Sequence, residues 1–212
     1  MNRVELKEKA KGLIKGNIWY ILKPAVIWFL ITFVAGIIAG CLDYAFESYD
    51  DFAMAVSEGT ISSIISLVFS IFSAILSVGY AKYILTFIRG GRSEIKDIID
   101  FAKENWKICI LVSFVAGLNV ALGMILLIVP GIIAAFGLTF YKEVVADNPE
   151  LGTTDALRKA WEVTNGHKFD LFVLGLSFIG WCILASLTFG ILYIWLVPYM
   201  TVTFALAYDS LK

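Results

Sequence analysis

The chain has 212 residues, 59% of them hydrophobic, with a mean hydropathy of +0.83 and a formal net charge of −1. Soluble globular chains run at roughly 45–50% apolar residues, so the composition excludes an ordinary soluble domain and leaves room for a single membrane domain, residues 1–212. Basic and acidic residues are intermixed, which leaves no electrostatic footprint for nucleic acid.

From the start, VELKEKAKGLIKGNIW (4–19) has helical periodicity, with Leu6, Ala10, Leu13 and Ile14 on one face and Lys7, Lys11 and Lys15 off it. The first apolar run, 19–41, follows. It is of spanning length, begins after a charged stretch and lacks a small-x-small cleavage site, so an uncleaved span is expected. Within it, Gly36-x-x-x-Gly40 is a spacing that lets helices approach closely. Residues 42–60 then carry Asp43, Glu47, Asp50, Asp51 and Glu58 and no basic residue. The run 61–88 holds Ser63, Ser66, Ser70, Ser73 and Ser77 on one helical face. Such a stripe reads as a close-packing surface or as the lining of a narrow polar path.

Gly90-Gly91 opens SEIKDIIDFAKENWK (93–107), a second amphipathic segment with Ser93 as a cap and Ile95, Ile98, Ile99 and Ala102 on one face. Between Lys107 and Lys142 lie 34 uncharged residues. As one helix they would run about 51 Å against a hydrocarbon core of about 30 Å. Pro130-Gly131 inside the run is the expected turn, since proline lacks an N–H and glycine tolerates a reversal; a kinked or re-entrant segment is the alternative. A third amphipathic segment, TTDALRKAWEVTNGHK (153–168), has Thr154 as a cap and Leu157, Ala160, Trp161 and Thr164 in line. The last run, 171–208, is again charge-free and too long for one crossing, with its turn expected at Thr188-Phe189-Gly190 and with Pro198 beyond. Each amphipathic segment ends in a polar corner: Gly16-Asn17, Glu104-Asn105 and Asn165-Gly166-His167.

Counting lysine and arginine decides between four crossings and six. With six, all 17 basic residues fall on one side, and the acidic segment 42–60 falls on the other. With four, the bases at 142, 158, 159 and 168 would be stranded outside. Both termini are therefore expected in the cytoplasm. Trp19, Tyr20 and Trp106 suit an inner aromatic belt, and Tyr193 and Trp195 an outer one.

Residues for chemistry are scarce. The single histidine, His167, sits at a corner beside Lys168 and Asp170 and reads as a cap or interfacial contact. No metalloprotease, nucleophile-elbow or phosphate-loop motif is present, and Cys41, Cys109 and Cys182 read as small buried residues. No cofactor or metal is expected, nor catalysis. Lys23 and Lys82 lie close enough to the inner interface to snorkel, and no carboxylate is expected at mid-membrane. Asn119 is the most central strongly polar side chain, expected to make one interhelical hydrogen bond. The interruptions at Pro130-Gly131 and at Gly190 and Pro198 are candidate hinges, and in repeated units such interruptions point to a transporter site.

RVELKEKAKGLIKGNIW, VPGIIAAFGLTFYKEVVADNP and ALRKAWEVTNGHKFDLFVLGLSFIGWCILASLTFGILYIWLVPY together resemble the bacterial integral-membrane family catalogued as domain of unknown function 975. The chain departs from that pattern at Ala160 and at Val163-Thr164-Asn165-Gly166-His167. The resemblance implies a bacterial cytoplasmic-membrane protein with six spans, and supplies no activity and no site residues.

The expected fold is all-α: a polytopic membrane bundle of six transmembrane helices in three hairpins, each preceded by a short amphipathic interfacial helix. The repeat-like units are 1–89, 90–147 and 148–212. The expected role is non-enzymatic assembly in the bilayer, with a membrane protein partner or a second copy, through the Ser66, Ser70, Ser73 and Ser77 face. A transporter of a small, weakly polar substrate, with Asn119 and Pro130-Gly131 lining its path, is the alternative.

Overall fold

A computed structural model describes residues 2–47 and 60–212; most of the acidic segment 42–60 lies outside the described residues. Among them helix is the only regular secondary structure, and there is no strand. The helices are α1 (Arg3–Ile14), α2 (Ile18–Glu47), α3 (Thr60–Ile88), α4 (Ile95–Glu104) and α5 (Trp106–Leu126). They continue with α6 (Ile128–Gly137), α7 (Tyr141–Asp147), α8 (Thr153–Thr164), α9 (Lys168–Leu187) and α10 (Tyr193–Leu211). Six stretches are long and apolar enough to cross a membrane: Ile18–Ile38, Ser63–Ile88, Trp106–Leu126, Ile128–Asp147, Lys168–Leu187 and Tyr193–Leu211. Each of the two long charge-free runs is divided between two of them.

The breaks do not all lie where proline and glycine suggested. The 108–141 run breaks at Leu127, which is extended (φ −164°, ψ 145°). Pro130 falls in the first turn of α6, where an absent N–H leaves no intrahelical bond unmade. Gly131 is helical, its N–H bonded to Leu127 O at 3.3 Å. Its role is space: Gly123 of α5 faces it so closely that a Cβ on Gly123 would lie 2.9 Å from the Gly131 Cα. In the last run the turn is where expected, with Phe189 (φ 52°) and Gly190 (φ 85°) both left-handed. Pro198 does not end a helix: it lies inside α10, which continues through it to Leu211, and it is buried.

Pro24 lies inside α2 and cannot donate to the Tyr20 carbonyl. Tyr83 of α3 takes over, its hydroxyl donating to Tyr20 O at 2.9 Å, and Tyr80 donates to Ile21 O at 3.1 Å. The broken helix is thereby re-satisfied by its neighbour, as a low-dielectric surrounding requires. α3 is the hub of the bundle, in contact with α2, α4, α5, α7 and α10. The core around it includes Ile21, Ile84, Val112, Phe140, Leu171, Phe178, Leu196 and Tyr208.

The amphipathic helices all form. α1 buries Leu6, Ala10 and Ile14 and packs against α10. α8 buries Ala156, Ala160 and Thr164, a row with the same i, i+4, i+8 spacing. That row is one residue away from Leu157 and Trp161, because close approach to α6 selects small side chains: the Thr164 hydroxyl donates to Gly137 O at 2.8 Å, and the Trp161 ring occupies the space beside Gly137. α4 buries Ile98, Phe101 and Ala102, while Ile99 stays exposed. Its first turn is closed by the Glu94 N–H donating to the Asp97 carboxylate at 2.7 Å. Ser93 is not that cap; its N–H donates to the Tyr20 hydroxyl at 2.7 Å. Thr154 likewise lies within α8 and Gly152 precedes it as the cap.

The corners after α1 and α8 are built alike. Gly16 (φ 86°) and Gly166 (φ 77°) are left-handed, and Asn17 N–H and His167 N–H donate to Ile14 O and Thr164 O at 2.9 and 3.0 Å. The corner at Asn105, after α4, has no left-handed residue. A Cβ at Gly16 or Gly166 would meet nothing within 4 Å. Gly16→Ala and Gly166→Ala therefore isolate the backbone cost, and each is expected to lower stability by about 1 kcal/mol in thermal unfolding of the detergent-solubilised protein. An unchanged melting temperature in both would show that these corners do not need the left-handed conformation.

Candidate functional site: a lateral groove, uncovered small-residue faces and an ionic clasp

At three places glycines of this chain let helices close tightly on one another. Gly79 of α3 lies against Ile98 of α4, where an added Cβ would sit 2.9 Å from the Ile98 carbonyl oxygen; Gly123 and Gly131 meet each other, and Gly137 meets Trp161. Two further small-residue faces are uncovered. Gly36 and Gly40 of α2 would accept a Cβ with nothing within 4 Å. On α3, Ser66 and Ser70 are exposed, and the Ser70 hydroxyl donates to Leu67 O of its own helix at 2.8 Å.

Further along the serine stripe, Ser73 and Ser77 line a groove of about 940 Å³ between α2, α3, α4 and the start of α5. Its walls are apolar, including Pro24, Ile27, Trp28 and Ile31 on α2, Phe72, Leu76 and Tyr80 on α3, and Ile95 and Ile99 on α4. Trp28 also packs against Phe69 and Phe72, at ring-centroid distances of 5.7 and 5.6 Å. Lys103 is the charged residue among the groove's lining.

The residues suggested for a transport path do not converge. Asn119 is exposed and its amide nitrogen donates to Val115 O, one turn back on α5, at 2.7 Å; among the described residues it has no interhelical hydrogen bond. Pro130 and Gly131 are clenched against α5 and, like Asn119, line none of the three cavities of about 350, 940 and 460 Å³.

The polar focus lies where α3, α7 and α10 end together. Arg89, just past α3, makes a two-pronged contact with Asp147 (2.7 and 2.9 Å) and bonds Asp209 from Nε and Nη2 (2.9 and 2.8 Å). Asp147 Oδ2 also accepts from Lys212 Nζ at 2.6 Å and from the Tyr208 hydroxyl at 3.2 Å. Hydrogen bonding to Asp147, with Asp209 adding to it, holds the Arg89 guanidinium above its ordinary pKa against partial burial. Elsewhere, burial and then the neighbouring Lys11 pull the Lys7 ammonium below its ordinary value, where it donates to Ser177 Oγ at 2.5 Å and sits 4.5 Å from the Phe178 ring centroid.

One turn before Asp147 stands Glu143, a residue that the sequence reading does not single out. It lies within the candidate span Ile128–Asp147, and its Oε2 is buried with no hydrogen-bond partner among the described residues. The signal was available in the Glu143/Asp147 i, i+4 spacing, but only the continuation of helix beyond Lys142 makes it a buried carboxylate. An unpartnered buried carboxylate is costly. Glu143→Gln is expected to raise stability by about 1 kcal/mol at neutral pH; a lowered melting temperature would mean that the carboxylate is bonded in the membrane.

Residues 112–212 match the family described as protein of unknown function (DUF975). Neither the curated proteins nor the solved structures contain a match to this chain.

Proposed function

We propose that this chain, whose residues 112–212 match that family of unknown function, is a multi-pass integral membrane protein that works by lateral helix association rather than by catalysis. The reading has six spans in three hairpins, amphipathic helices at the inner interface, and both termini in the cytoplasm of a bacterial cell. It is supported by six candidate spans and by a charge distribution that places every lysine and arginine on one side.

The observation that carries it is the contrast among small residues. Three glycine contacts inside the chain are closed tightly, while among the described residues no helix lies against the Gly36/Gly40 face of α2 or the Ser66/Ser70 face of α3. Without a hydrophobic drive between helices in lipid, close packing at small residues is what associates them. The occupant is a transmembrane helix of a membrane protein partner or of a second copy.

Ser66→Phe and Ser70→Phe are expected to weaken the assembly about tenfold, the scale of one lost interhelical packing contact. In-cell crosslinking and native electrophoresis would read it, with the melting temperature of the protomer unchanged. A complex of the same size and yield in the double variant would overturn the reading.

A further inference from the structure

We propose that the groove between α2, α3 and α4 is an acyl-chain site for an anionic phospholipid, with the headgroup held at Lys103 and Lys107. This rests on the membrane reading of the chain but not on helix association.

The groove is long and its two ends differ. α4 carries Lys103, which also lines the groove, five residues or about 7.5 Å further along its axis than Ile98, where α4 meets α3 at Gly79. The lining residue Ile71 is eight residues earlier on α3, about 12 Å away along the helix. An occupant must be apolar over most of its length and anionic at one tip.

α4 sorts its charges to match. Its acids, Asp97, Asp100 and Glu104, line a separate cavity of about 350 Å³ on the side of Lys82, away from the groove. Lys103 lines the groove itself, and Lys107 stands beside it, its Nζ 5.6 Å from the ring centroid of the groove residue Trp106. Ile99 of α4 is 43% exposed and Trp106, at the start of α5, 48%, so an apolar strip beside the row that α4 buries against α3 stays open. An indole and a lysine at the mouth of an apolar slot suit the headgroup–acyl boundary. A partner helix would fill the apolar length but has no need of one basic end.

The test uses the full chain purified in mild detergent, with dioleoyl-phosphatidylglycerol or dioleoyl-phosphatidylcholine added and bound lipid counted by native mass spectrometry. The wild type is expected to retain the anionic lipid preferentially. K103Q and K107Q should each reduce that preference about fivefold, the scale of one lysine at an anionic surface. Ser73→Trp, which fills the groove, should abolish retention of both lipids, while Ser66→Phe, outside the groove, should leave it intact even if association is lost. Equal retention of the two lipids, or an unchanged preference in the K103Q/K107Q double variant, would overturn the proposal. So would a photo-crosslinker at Ser73 capturing a protein instead of lipid. The lysine variants carry the test should the tryptophan variant fail to fold.

Discussion

Gly123→Ala lowers the stability of the protein by about 2–3 kcal/mol, the cost of overpacking a closed contact. The reason is the identity of what the new methyl would meet. An added Cβ at Gly123 comes within 2.9 Å of the Gly131 Cα, 3.1 Å of its nitrogen and 3.3 Å of the Pro130 carbonyl carbon. All three are backbone atoms, so no side chain can swing aside and α5 and α6 must part. Gly131 meets Met124 reciprocally, its missing side chain leaving room for the thioether, with the Met124 backbone nitrogen 2.7 Å from where a Cβ would be. The control lies on the same helix. Gly117 of α5 would accept a Cβ with nothing within 4 Å, so Gly117→Ala gains helix propensity and is expected to be neutral or stabilising by up to about 1 kcal/mol. Thermal melting of the two variants in the same detergent checks the pair. Equal effects would show that α5 and α6 do not meet at Gly123.

The second large effect concerns Arg89. Asp147 carries a side chain only 10% exposed and is bonded by Arg89, Lys212 and Tyr208. Arg89→Met removes the two-pronged contact and the link to Asp209, leaving Asp147 to Lys212 and Tyr208. Loss of charge-assisted bonds to a largely buried carboxylate is expected to cost about 2–3 kcal/mol, discounted from the fully buried case because Arg89 is 36% exposed. Asp147→Asn in the Arg89→Met background should recover part of that loss, since the cost is mostly the stranded charge. A double-mutant cycle measures the coupling. A coupling energy near zero would mean that the clasp is a surface ornament and that the ends of α3, α7 and α10 are held by apolar packing alone.

Much of this architecture is legible in residue order because its causes are local. The uninterrupted apolar lengths, the 3.6-residue rows of the amphipathic segments and the left-handed glycines at 16, 166 and 190 follow from neighbours a turn apart. The division of each long run into two helices follows from its length against the bilayer. What the residues suggested less well are the places where a distant element chooses. Pro130-Gly131 reads as a turn, but proline is equally at home in the first turn of a helix, and Gly131 serves the approach of Gly123. Trp161 reads as part of the buried face of α8, but Gly137 leaves a recess for its ring, and the buried row shifts to Ala156, Ala160 and Thr164.

The candidate site divides the same way. The serine stripe was visible from spacing, yet spacing could not say that Ser73 and Ser77 line a groove while Ser66 and Ser70 are left uncovered. Asn119 is central in its run, but a side chain that can bond its own helix one turn back needs no partner across the bundle. Glu143 is not legible as a buried group in residue order, because burial is a property of what packs around it. By itself, then, the sequence determined an all-helical, membrane-length chain with polar amphipathic entries, since composition and short-range periodicity act through local hydrogen bonding and hydrophobic burial. Only the tertiary structure decided which small residues close a contact and which stay open among the described residues, and which charges meet. The glycine contacts depend on the approach of neighbouring helices, and the charge contacts on backbones 58 to 120 residues apart, as at Arg89 with Asp147 and Asp209; no local pattern encodes either approach.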